Sequence, residues 1–204
     1  SPPLGYRAMG VQESVDVVIS LRVSLDEDVF SEFNVTCLRL NRLLASLDPS
    51  SYETPAWHPG AVVRIGTLVD YRALELAVHG WDIRYGLDHD ATLSPGAVPF
   101  LKEWLVHWLR AGFQGDAALV GPTTYRFELT DSPDRFDLII AGPEVRLEPS
   151  GETTARVTFR CDTNTYLLFA LGRLPFDQLV RRGRLHVEGD SELASRFTSW
   201  FVPP

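Results

Sequence analysis

Cysteine is nearly missing from this chain: only Cys37 and Cys161 occur, in segments of different character. A disulfide framework is therefore excluded as the organising device, and a reducing, cytoplasmic setting is the expectation. Neither thiol has a general base beside it in sequence, so both read as small core residues rather than nucleophiles. Long apolar runs are missing as well. No stretch approaches the roughly 20 residues that a membrane-crossing helix needs, and the amino end carries no secretory pattern. Positive charge is scarce: a net charge of -8 speaks against a nucleic-acid footprint. Internal repeats, low-complexity tracts and phosphate-loop spacing are absent too. The partners left are small molecules, with no nucleic acid and no membrane, for a monomer or weak homodimer.

What remains is ordinary for a globular protein. The 204 residues are 45% hydrophobic and 23% charged, enough for one large domain or two small ones. Val11 to Val23 is ambiguous, since its valines alternate as in a strand yet also fit one helical face. Ser24-Leu25-Asp26-Glu27 has the form of a capping box, and Phe30 to Leu47 follows as an apolar helical face. Ser50 to Gly60 reads as a loop. A long helix is expected from about Val62 to Tyr85, with Gly86 as its stop, and another from Phe100 to near Gly112. After Gly115 the pattern becomes β-like: 125–130, 135–141, 144–148 and 155–161, divided by turn clusters. Helices near 163–171 and 176–182, a short strand at 185–187 and a last helix from Ser191 complete it. The expected fold class is α+β: a helical region over residues 1–115, then a compact α+β domain over residues 116–204.

Glu75 and His79 stand four apart on the long predicted helix and so share a face. Carboxylate with imidazole suits zinc, iron or nickel. Asp82, three residues on, could orient the imidazole from behind. By spacing alone, an exposed Glu-His pair is the commoner meaning. His107, His89 and His186 read as surface residues, Arg181-Arg182-Gly183-Arg184 as a solvated turn, and Trp81, Phe100, Trp104 and Trp108 as core.

The run Leu74-Glu75-Leu76-Ala77-Val78-His79-Gly80-Trp81-Asp82-Ile83, preceded by Pro59-Gly60, resembles the metal helix of the mycothiol-dependent maleylpyruvate isomerase family. That family is an actinobacterial branch of the DinB-like helical bundles. Gly172-Arg173 and Gly189-Asp190 resemble landmarks of the sterol-carrier-like domain fused to those bundles. The resemblance implies a DinB-like bundle at residues 1–115 and a sterol-carrier-like domain at residues 116–204. It implies a divalent metal, zinc first, on Glu75 and His79, with Asp82 behind His79. It also implies that Arg173 grips a substrate carboxylate, which suits a planar guanidinium. A helix-end arginine answering the dipole is the alternative for Arg173. The implied activity is a mycothiol-dependent isomerase or S-transferase, in which the metal lowers the thiol pKa and the thiolate attacks.

One departure matters. The family's first histidine ligand has no match, because no histidine precedes His58, and His58 does not match it. Together with the start at Ser1-Pro2-Pro3, this leads us to expect a chain lacking two amino-terminal helices. A non-catalytic carrier of small apolar molecules is the rival reading.

Overall fold

A computed structural model describes residues 9–58, 61–115, 121–152 and 154–201. The chain forms two compact units, Ser1–Glu75 and Leu76–Pro204, and the division falls inside one long helix. The expected boundary at 115/116 abuts residues 116–120, and the Pro59-Gly60 and Ser1-Pro2-Pro3 segments also lie outside the described residues.

In the first unit, α1 (Val11–Leu25) resolves the ambiguous segment as helix. Gln12 Nε2 donates to Asp16 Oδ1 one turn on, at 2.9 Å. The expected capping box does not form. Ser24 instead donates to the Leu21 carbonyl within α1, and Asp26 adopts a positive φ of 43°. Aspartate is among the few residues that tolerate this region. A 3-10 turn follows, and α2 (Val29–Ala45) starts without a side-chain cap. Both helices leave apolar side chains in the open, among them Val18, Val23, Phe30 and Phe33. Of the described residues in this unit, Leu74 alone is fully buried, so the unit taken by itself lacks a core.

The expected loop at 50–60 is more structured than its prolines suggested. Asp48 caps a 3-10 turn at Pro49–Glu53 by accepting from Ser51 N. An antiparallel pair follows, β1 (Pro55–His58) with β2 (Ala61–Arg64). These strands displace the start of α3 (Ile65–Leu87) three residues beyond the predicted Val62.

The second unit holds the core. In α4 (Val98–Gly112), Leu101, Leu105 and Leu109 recur every four residues and are fully buried. Five strands make one sheet: β3 (Thr123–Leu129), β4 (Arg135–Ala141), β5 (Glu144–Pro149), β6 (Val157–Cys161) and β7 (His186–Gly189). Their order is β5-β4-β3-β6-β7, with β3 and β6 parallel and every other pair antiparallel. The register puts Tyr125, Phe127, Phe136, Leu138, Val157 and Phe159 on one face. Over that face lie rings from α5 (Thr163–Ala170) and from the closing 3-10 turn Phe197–Trp200, which follows α7 (Ser191–Arg196). Tyr166, Phe169, Phe197 and Trp200 are all buried there. Helix α4 covers α5 and β5, and Arg110 Nε donates to the Val145 carbonyl at 2.8 Å.

The opposite face is polar. Glu128 meets Arg135 on one side and Arg160 on the other, and Arg160 continues to Glu188, so a charge ladder crosses four strands. Between β5 at one edge and β6 the chain must pass β4 and β3, and the described residues of this crossing form no helix. Arg126 and Asp137 are buried where Ser150 and Gly151 of that crossing come down, and they bond to it. Gly189 pins the far edge. Its φ is 95°, and a Cβ there would collide with the Arg156 carbonyl oxygen.

Candidate functional site

The carboxyl-terminal half of α3, from Leu76 on, carries the polar residues that sequence singled out. Trp81 is buried and anchors it, donating Nε1–H to the Ala91 carbonyl at 3.0 Å. Tyr85, one turn on, stacks on Trp81 with centroids 4.6 Å apart, and its hydroxyl accepts from Gln178 Nε2 at 2.9 Å. Gln178 lies on α6 (Phe176–Arg181), so this bond ties the helix to the α5–α6 region.

Asp82 is the centre of the arrangement. Its Oδ2 lies 2.8 Å from His79 Nδ1 and its Oδ1 lies 3.4 Å from Arg173 Nε. A carboxylate accepts, so His79 donates through Nδ1–H. His79 is 57% exposed and Arg173 only 25%. Arg173 owes its place to local backbone geometry. Gly172, at a φ of 68°, ends α5 in the left-handed region. Arg173 N then donates back to the Leu168 carbonyl at 2.8 Å, which turns the side chain toward α3. Its Nε is buried and makes no well-formed hydrogen bond, only the looser ion pair to Asp82. Arg184, of the turn expected to be solvated, instead donates to Thr165 Oγ1.

Three expected site residues are thus brought together: His79, Asp82 and Arg173. Glu75 lies on the same helix, in the first unit, with its side chain exposed. Among the described residues no three histidine, cysteine, aspartate or glutamate side chains converge as a metal-holding group. A catalytic zinc takes three protein ligands and keeps one position open.

The remaining candidates divide by burial: Cys37, Phe100, Trp104 and Trp108, expected in the core, are only half-buried. His89, His107 and His186 are exposed, as are Arg181 and Arg182. Cys161 is buried, and burial pushes its thiol up to about 12, which leaves it unreactive. Two features had no clear sequence signal. One is the Tyr85–Gln178 bond, legible only as an aromatic pair at i and i+4. The other is a cavity of about 770 Å³ lined by Leu93, Val98, Lys102, Asp131, Thr163 and Asn164, among others. Asn164 accepts from Leu93 N and Asp131 accepts from Thr163 N, so these contacts brace its wall.

Residues 113–202 match the model of the SCP-2 sterol transfer family. The carboxyl-terminal part is therefore a sterol-carrier-like α+β domain. No curated protein matches the chain. Among solved structures, it is similar to the sec-alkylsulfatase Pisa1 from Pseudomonas sp., at 18% identity over 46% of this chain and 15% of that one, with a TM-score of 0.41. It is similar to the UbiJ-SCP2 ubiquinone synthesis protein, at 17% identity over 50% of this chain and 93% of that one, with a TM-score of 0.38. It is also similar to sterol carrier protein 2 like 2 from Aedes aegypti, at 13% identity over 50% of this chain and 97% of that one, with a TM-score of 0.39. The chain spans about 15% of the length of the sulfatase structures it matches.

Proposed function

We propose that this protein binds a small, predominantly apolar, lipid-like molecule through its carboxyl-terminal domain. The observation that carries the reading is the match of residues 113–202 to the SCP-2 sterol transfer family. The chemistry of the domain supports it. The inner face of the sheet and the helices over it are built from apolar and aromatic side chains, the lining that such a ligand would need. The test is native mass spectrometry of protein purified without detergent, followed by displacement of a fluorescent fatty acid. One lipid-sized adduct per chain and saturable displacement are expected. A ligand-free mass together with no displacement by fatty acids or sterols would overturn the reading.

A second reading is favoured by one specific observation, the Asp82 carboxylate shared between His79 and Arg173. An orienting carboxylate, an imidazole and a guanidinium would suit a carboxylate-bearing substrate, in an isomerase or thiol S-transferase of the mycothiol-dependent kind. In that reading Arg173 holds the substrate carboxylate and Asp82 positions His79. Zinc and mycothiol would belong to it, and elemental analysis of chelator-free protein with a thiol-dependent turnover assay separates it from the carrier.

A further inference from the structure

Two buried polar side-chain atoms have no hydrogen-bond partner among the described residues: Arg173 Nε, already placed beside Asp82, and Trp200 Nε1. Trp200 is 2% exposed, in the 3-10 turn that closes over the inner face of the sheet. Its ring meets Tyr125 edge-to-face at 5.6 Å. Tyr125 in turn lies 6.0 Å from Phe159 and 5.2 Å from Phe197, so the surroundings are aromatic. The hydroxyl of the ring that Trp200 meets is weakly engaged itself. Tyr125 donates to the Leu193 carbonyl at 3.4 Å, near the limit for a hydrogen bond. Burial pushes its phenol well above the ordinary value, so it remains a neutral donor.

A buried indole N–H normally finds an acceptor, because leaving it unmade forfeits its hydration with no return. A phenylalanine would fill an apolar interior without that cost. We propose that the missing acceptor is an oxygen atom of the ligand, and that Trp200 is a specificity-determining residue of the domain. It selects an apolar molecule bearing a carboxylate, ester or hydroxyl oxygen over a pure hydrocarbon of the same length. This inference rests on the carrier reading above and deepens it by naming the ligand class.

The experiment uses the full chain labelled with nitrogen-15 on its five tryptophans. Dodecanoate, 1-dodecanol and dodecane are titrated in while the indole N–H resonances are followed, with Trp200 assigned from the Trp200→Phe variant. A fluorescent fatty acid reports binding independently. Expected is a downfield shift of the Trp200 indole proton with dodecanoate and dodecanol, larger than for Trp57, Trp81, Trp104 or Trp108, and no such shift with dodecane. In the Trp200→Phe variant, affinity for dodecanoate should fall about tenfold or more, and affinity for dodecane should hold. Displacement of the fluorophore with an unmoved Trp200 indole would overturn the role of Trp200 and leave the carrier reading standing. No binding of any of these compounds would overturn the carrier reading, and this inference with it. A variant that loses dodecane binding along with dodecanoate marks a packing defect, in which case the wild-type indole shift decides the matter.

Discussion

Removing one member of the buried Arg126–Asp137 pair should cost far more than removing both. Arg126 Nε and Nη2 donate to the two Asp137 oxygens, each at 2.8 Å, with side chains only 9% and 5% exposed. Ser150 Oγ adds a bond at 2.8 Å, and Arg126 Nη2 also reaches the Gly151 carbonyl at 3.0 Å. Arg126→Met leaves a buried carboxylate without its cation, a loss of about 3–5 kcal/mol. At about 4–8 °C per kcal/mol for a domain of this size, the midpoint falls by more than about 12 °C. The double variant Arg126→Met/Asp137→Leu removes both charges and should recover most of that loss, since a packed apolar pair is often no worse than a buried ion pair. Acid should act like the single variant. Burial alone would raise the Asp137 pKa, but the bonds from Arg126 and Ser150 and the Arg126 charge hold it below the usual carboxylate range. A depressed carboxylate contributes stability in full above its unfolded pKa of about 4, and the contribution fades as pH falls through the folded value. Urea titrations at pH 7 and below pH 4 would measure this, with hydrogen exchange at Gly151 as the local readout. A single variant within about 1 kcal/mol of wild type, or a double variant no better than the single, would refute the claim that this pair holds down the crossing.

Gly189→Ala should destabilise the domain by about 2–4 kcal/mol, because the backbone is left-handed there and the added carbon runs into the Arg156 carbonyl; thermal melts check it, and an unchanged midpoint would be inconsistent with so close an approach of β7 to Arg156. Cys161, with its thiol pushed up to about 12 by burial, should resist a thiol reagent in native protein, while the half-buried Cys37 is labelled first; mass spectrometry of the labelled peptides decides. Arg173→Ala should weaken binding of a small dicarboxylate about tenfold or more while the far-ultraviolet spectrum stays native, as expected for loss of one charged hydrogen-bonding group. Unchanged dicarboxylate affinity in calorimetry would remove Arg173 from any ligand role.

Much of the carboxyl-terminal fold was written in local pattern. The strands at 135–141 and 144–149 and the helix opening after Asp162 lie within a residue or two of where alternation, turn clusters and a capping aspartate put them. Those signals are short-range, so they survive in the sequence. The pairing of β1 with β2 was not legible, because each strand is four residues long, β1 opens on Pro55, and their pairing is what makes them strands. The match of residues 113–202 agrees with the sterol-carrier landmarks at Gly172-Arg173 and Gly189-Asp190. Both glycines have positive φ, a backbone demand that shows in sequence as glycine.

His79 and Asp82 could be paired from sequence alone, since three residues along a helix set two side chains on one face. That Arg173 joins them depended on a left-handed turn ending α5 and on where that turn faces α3, more than 90 residues apart in the chain. For Trp200 the sequence offered no more than a place in the last helix expected from Ser191. Only the packing of the closing turn over Tyr125 decided that its N–H would be shut away from both water and protein, because hydrogen-bond satisfaction in a core is set by which neighbours arrive, not by the residue that waits for them.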